Sequence, residues 1–136
     1  MIKIMITGAS GMLGNAVLKS FSHDDSYRVM GTIRSRSSIG LFPKAIRGSL
    51  VSGIDIDNNE GILRLFEEVQ PDVVINCIGI VKQLANANDP LVALPINSLF
   101  PHRLANTCKA SGSRLIHMST DCVFTGRKGL YTEDDV

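Results

Sequence analysis

The chain opens on a short apolar run, Ile2-Lys3-Ile4-Met5-Ile6, that stops at Thr7-Gly8. An apolar run of this length bounded by glycine reads as a buried strand. Leu13, Ala16, Val17 and Phe21 then recur at spacings of three and four, a helical face that ends near Ser22-His23-Asp24-Asp25. Between the two lies Thr7-Gly8-Ala9-Ser10-Gly11-Met12-Leu13-Gly14, a G-x-x-G-x-x-G turn. It is one residue longer between its first two glycines than G-x-G-x-x-G, and it meets a similar demand. Gly8 can take the tight turn, Gly11 has no Cβ to block a pyrophosphate, and Gly14 lets the helix pack closely on the strand. Free amides at the helix start then face the phosphates. A P-loop needs Gly-Lys-Ser/Thr at this point, whereas Gly14 is followed by Asn15. The turn therefore points to a dinucleotide. The plainer alternative is a turn with a structural role only.

The rest of the chain keeps alternating. Tyr27–Ile33 reads as a second strand, followed by a Ser- and Arg-rich loop from Arg34 to Gly48 and a weak third strand over Val51–Ile56. Ile62, Phe66 and Val69 mark a helix stopped by Pro71. Asp72–Cys77 is apolar on both faces, as a central parallel strand covered by helices must be. A helical region is expected from Pro90 to Ser111, broken into two pieces or kinked by Pro95 and Pro101, with Gly112 as its stop. Leu115–Met118 reads as a fifth strand, and loop is expected after Ser119. Such alternation argues an α/β domain: a doubly wound parallel sheet of about five strands in three α/β/α layers. Ligands of such sheets sit beyond the carboxyl ends of the strands.

The end of the second strand separates NAD from NADP. An acidic residue there would bind a ribose 2′-hydroxyl, and an arginine would suit a 2′-phosphate. Arg34 stands at that point, with Arg36 just beyond, and no acidic residue occurs between Asp25 and Asp55. This favours NADP, with NAD possible, since a guanidinium holds a phosphate through two parallel hydrogen bonds. A solvated basic loop is the alternative. Asp24 and Asp25 precede the second strand and are poorly placed for the ribose.

Composition narrows the remaining classes. Lys+Arg 14 against Asp+Glu 13 gives a net charge of +1, so nothing suggests a nucleic-acid partner. No apolar run approaches the roughly 20 residues of a membrane span, and no secretory signal is visible. Cys77, Cys108 and Cys122 are an odd number at long spacings without a C-x-x-C pair. They read as free thiols of a reducing cytoplasm, with no metal site expected. Cys77 and Cys108 suit small apolar core positions, and His117 reads as structural rather than catalytic.

The glycine turn, Asp55-Ile56, Asn76-Cys77-Ile78-Gly79 and Ser119-Thr120-Asp121-Cys122-Val123-Phe124 together resemble the extended short-chain dehydrogenase/reductases. The chain is most similar to their dTDP-4-dehydrorhamnose reductase branch. The resemblance covers essentially the whole chain, and the turn and the Ser119–Phe124 segment are its most specific parts. It implies a Rossmann-like fold and reduction of a nucleotide-linked 4-keto sugar. A nucleotide-sugar epimerase or dehydratase, or a non-catalytic NADP-binding regulatory subunit, are the alternatives. It implies that Asp55 and Ile56 border the adenine and that Asn76 through Gly79 line the ribose and nicotinamide side. Asn97 matches a helix asparagine that helps organise a proton relay in relatives. Thr120 matches the catalytic hydroxyl residue beside the substrate carbonyl, with Ser119 its neighbour. The cofactor set so implied is Gly8, Ser10, Gly11, Met12, Leu13, Gly14, Arg34, Asp55, Ile56, Cys77, Ile78, Gly79, Asn97 and Ser119. Plainer roles stand beside it: Asp55 and Asp57 could cap the following helix, and Asn76 could satisfy backbone groups at its strand end. The branch usually carries an aromatic residue where Cys122 stands.

The chemistry of this family uses Tyr-x-x-x-Lys, the tyrosine as general acid and the lysine lowering its pKa. Tyr27 is followed four residues later by Gly31 and Tyr131 by Asp135, so neither fits. Residues 1–136 are thus expected to form the NAD(P)-binding domain, ending before that helix and before the substrate domain, and to be inactive alone. A piece of a longer reductase, a chain completed by another polypeptide, and a nucleotide-binding module all remain open. The uncovered sheet edge and helix-packing face would favour a homo-oligomer or poor solubility.

Overall fold

In the computed structural model, residues 1–81 and 84–135 are described. The opening run forms β1 (Ile2–Thr7) and the helical face after the glycine turn forms α1 (Met12–Phe21). Then come β2 (Tyr27–Ile33), β3 (Leu50–Ser52), α2 (Asn59–Val69) and β4 (Val73–Asn76). The last part holds α3 (Pro90–Leu94), a π-helical segment (Pro95–Leu99), α4 (Phe100–Ser111) and β5 (Arg114–His117). The strands form one sheet in the order β3-β2-β1-β4-β5, and every pairing is parallel. This is the Rossmann-like α/β architecture that the alternation of elements predicts.

Strand periodicity explains the two cores. Successive side chains of β1 point to opposite faces. Ile4 and Ile6 join Val29, Ile33 and Ile75 under Leu18 of α1. Met5 and Val74 enter the other face with Ile62, Leu65 and Phe66 of α2 and Phe100, Leu104 and Cys108 of α4. Burying each such side chain contributes about 1.5–3 kcal/mol. The outer strand differs: three of the four residues of β5 are exposed. Among the described residues, no helix is long and apolar enough to cross a membrane.

Three expectations need correction. The third strand stops at Ser52 instead of Ile56, because Gly53 takes φ +84°. The chain then turns across the end of β2, with Gly53 N–H donating to Arg34 O at 3.2 Å and Ile54 N–H to Ile33 O at 3.3 Å. The Arg34–Gly48 loop holds two 3-10 turns, Arg36–Leu41 and Lys44–Ser49, which deliver Phe42 into the first core. The 90–111 region, expected in two pieces or kinked, is two α-helices, α3 and α4, joined by a π-helical segment in which Phe100 N–H donates to Pro95 O. The fifth strand is shifted one residue towards the N-terminus, and a short 3-10 turn, Asp121–Val123, follows it. Gly112 does end α4, at φ +75°.

Candidate functional site

From β1 the chain moves outward through β2 and β3, then crosses back to β4 on the other side of β1. A crevice forms where the order reverses, beyond the carboxyl ends of these strands. Here it is a cleft of about 410 Å³. Of the residues singled out from the sequence, Gly8, Ser10, Gly11, Arg34, Asp55, Ile56, Cys77, Ile78 and Gly79 line it. A smaller cleft of about 260 Å³ lies at the other end of the sheet, beside Met1, Ser22, Tyr27 and Arg28. Asp24 is also at that end, where the Ser26 N–H at 2.8 Å holds its carboxyl below the usual range.

The glycine turn is built for close approach of main chain. Gly8 sits at φ +74°, and a Cβ there would lie 2.8 Å from Ile78 Cγ1 and 3.1 Å from Ile78 N. At Gly14 a Cβ would lie 2.3 Å from Gly8 O, so only hydrogen lets α1 close onto β1. Ala9 N–H donates to Thr32 O at 2.9 Å, tying the turn to β2. No side chain caps α1, and its first turn carries no acidic residue. The helix's first backward bond is Asn15 N–H to Gly11 O at 2.9 Å. Ahead of it lie the amides of Met12, Leu13 and Gly14, which together with the helix dipole suit an anion. The Met12 side chain itself is 93% exposed. These residues fit a dinucleotide diphosphate.

At the end of β2, Arg34 lines the cleft. Arg47 is engaged elsewhere, its Nε donating to Phe42 O at 2.8 Å, and Arg28 lies at the far end of the sheet. Asp55 also lines the cleft, and its Oδ1 accepts Asp57 N–H at 3.1 Å in a local turn. Asn58 is the residue that caps α2, accepting Gly61 N–H at 2.9 Å. Ile54, Ile80 and Ile96 add apolar walls that sequence reasoning missed. Ile54 and Ile80 follow Gly53 and Gly79 directly, which is the signal that could have found them.

Asn76 is fully buried and does more than close a strand end. Its Oδ1 accepts the Thr7 hydroxyl at 2.6 Å and Ile78 N–H at 3.1 Å, and its Nδ2 lies 3.0 Å from His117 Nδ1. Asn97, outside the cleft lining, holds Ile80 by both main-chain groups. Ile80 N–H donates to Asn97 Oδ1 at 2.8 Å, and Asn97 Nδ2 donates to Ile80 O at 2.9 Å.

Ser119 and Thr120 follow β5 and are exposed, apart from the cleft lining. Thr120 Oγ1 accepts Cys122 N–H at 3.2 Å. Beyond them Phe124 stacks on Tyr131, ring centroids 4.6 Å apart. The Tyr131 oxygen accepts Lys128 N–H at 3.0 Å and is 2.9 Å from Thr125 Oγ1, bonds that lower its pKa. The three cysteines are free thiols. Burial raises the pKa of Cys77, and that of Cys108 to about 11. Among the described residues, no cluster of three or more His, Cys, Asp or Glu could hold a metal.

The family model described as the RmlD substrate binding domain matches residues 2–136. A probable low-salt glycan biosynthesis reductase, Agl14, of Haloferax volcanii is 31% identical over 131 residues, covering 96% of this chain and 41% of its own. Methionine adenosyltransferase 2 subunit beta of Rattus norvegicus is 31% identical over 135 residues, covering 98% of this chain and 37% of its own. A hypothetical dTDP-4-dehydrorhamnose reductase from Sulfolobus tokodaii superposes with a TM-score of 0.80 at 25% identity, covering 99% of this chain and 45% of that one. The fold is also that of dTDP-4-dehydrorhamnose reductase from Bacillus anthracis, solved in complex with NADP. There the TM-score is 0.70 at 24% identity, covering 93% of this chain and 39% of that one. The chain thus spans 37% to 45% of the length of these proteins.

Proposed function

The chain belongs to the RmlD substrate binding domain family, and from that premise we propose that it forms the NADP-binding part of a reductase of nucleotide-linked 4-keto sugars. The observation that carries this reading is the uncapped start of α1 behind Gly8 and Gly11, opening on the same cleft as Arg34. The amides of Met12 to Gly14 hold the diphosphate, Arg34 the 2′-phosphate, Asp55 and Ile56 the adenine, and Cys77 to Gly79 the ribose side. When bound, the nicotinamide supplies the hydride. Thr120, three residues past the end of β5, holds the substrate carbonyl by its hydroxyl, with Ser119 beside it. The remaining acid chemistry and the sugar contacts belong to the whole protein. A reducing cytoplasm suits the three free thiols.

A second reading has its own support. The Rattus norvegicus relative is named as a subunit of another enzyme, which favours an NADP-binding chain that serves a partner. An epimerase or dehydratase of nucleotide sugars shares the cofactor half. Turnover of NADPH by the whole protein with a nucleotide-linked 4-keto sugar separates the reductase from both.

The cofactor part is tested on this chain by titration with NADPH and NADH. A charge-assisted bond of about 1.5–3 kcal/mol favours NADPH by roughly tenfold or more. Arg34→Ala should remove that preference. Equal affinity of the unmodified chain for both nucleotides overturns the NADP assignment.

A further inference from the structure

Thr7, Asn76 and His117 are register partners on β1, β4 and β5, at the last position of each strand. Their side chains form one line of hydrogen bonds across the sheet, and Gly8 and Cys77, which follow Thr7 and Asn76, line the cleft. Its polarity can be worked out from one fixed donor. The main-chain N–H of Ile78 can only donate, so the Asn76 atom that it meets at 3.1 Å must be the carbonyl oxygen. That oxygen also receives the Thr7 hydroxyl at 2.6 Å, so both its lone pairs are used. The other end of the amide is then the NH2 group, a donor, and it faces His117 Nδ1 at 3.0 Å. His117 Nδ1 must accept, which puts the ring hydrogen on Nε2. A hydrogen on Nδ1 would set donor against donor.

The line ends at the glycine turn. Thr7 precedes Gly8, and Ile78, held by Asn76, is the residue against which Gly8 is wedged. We infer that His117 is a positioning residue: from the outermost strand it orients Asn76, and through Asn76 it sets Thr7 and Ile78 on either side of Gly8. That the turn so positioned holds a dinucleotide rests on the proposed function. The orientation of the amide does not.

The test reads both. In ¹⁵N-edited NMR of the unmodified chain, the His117 ring should carry its hydrogen on Nε2, with Nδ1 unprotonated. A hydrogen on Nδ1 overturns the inference without any variant. His117→Leu removes the acceptor, and a lost hydrogen bond of ~1 kcal/mol should speed amide exchange at Ile78 by about fivefold. NADPH affinity should weaken by a similar or smaller factor. His117→Asn places a carbonyl oxygen where Nδ1 stood and should restore both to within about twofold. His117→Gln, whose oxygen takes the Nε2 position, should not. Equal exchange at Ile78 in the Leu and Asn variants sinks the positioning role. Absence of NADPH binding by the unmodified chain sinks the proposed function alone, and the exchange and NMR results still decide the role of His117.

Discussion

The two ends of the strand carboxyl edge are built on opposite plans. At the glycine-turn end, β1 is paired on both sides, its last four residues are buried, and the turn above it is shaped by main chain. At the Ser119–Phe124 end, β5 is paired only with β4 among the described residues, and Met118, Ser119, Thr120, Cys122 and Val123 after it are exposed. Each strand has an apolar run, Ile4-Met5-Ile6 against Leu115-Ile116, but that of β5 lies between Arg114 and His117, so both neighbours and composition make the difference. The proposed diphosphate site rests on a closed core. The proposed catalytic hydroxyl rests on side chains along a half-covered strand.

The sharpest way to break this comparison is to hollow out the sheet under each end. Met5 is fully buried, while Ile116 is 40% exposed. Met5→Ala leaves a cavity between β1 and the α2/α4 face and should cost about 2–5 kcal/mol. Ile116→Ala should cost less than about 1 kcal/mol, since much of its side chain already meets water. Denaturant titration of both variants measures the contrast. Equal losses would show that the two strands are packed alike.

A methyl group at each end is the next test. Gly14→Ala drives a Cβ to 2.3 Å from Gly8 O and 2.8 Å from Gly8 C, both main-chain atoms. Separating α1 from the turn should cost about 1–3 kcal/mol, against at most ~1 kcal/mol regained in helix propensity, and NADPH binding should be lost. Gly126 at the other end has open space around it and φ +76°. Gly126→Ala should cost about 1 kcal/mol in backbone strain alone and leave NADPH affinity unchanged. Retained binding in Gly14→Ala would remove the close approach as the basis of the site.

How much of this was legible follows the same division. The glycine turn and the limits of β2 could be read from Gly8, Gly11, Gly14 and the run Tyr27–Ile33, because local sterics and strand periodicity act over a few residues. Pro71 likewise announced the end of α2. What stayed hidden depends on distant partners. Nothing near Phe42 says that two 3-10 turns will return it to the core. The prolines at 95 and 101 forecast the interruption, but not that a π-helical segment joins the two pieces. Ile54 and Ile56 extend the apolar pattern of the third strand past its end, and they are apolar for the cleft and the second core instead. The Asn76–His117 pair, 41 residues apart, exists only once β5 lies beside β4.

The smallest expected effect concerns the wall between the two ends. The residues 77–80 line the cleft after β4, and their outer anchor is Asn97, whose amide pairs both main-chain groups of Ile80 as a neighbouring strand would. Asn97 is exposed, so in Asn97→Ala water can replace both bonds, and global stability should fall by less than about 1 kcal/mol. The loop, however, would lose the side chain that bonds Ile80 to the π-helical segment. NADPH affinity should weaken by about three- to tenfold, the factor that ~0.7–1.4 kcal/mol of lost preorganisation gives. Asn97→Asp keeps the acceptor for Ile80 N–H but turns a second oxygen onto Ile80 O, so it should fare no better than alanine. A role confined to proton transfer would leave NADPH affinity untouched in both variants. Affinity within twofold of the unmodified chain would take this loop out of the prebuilt end and assign it to the open one.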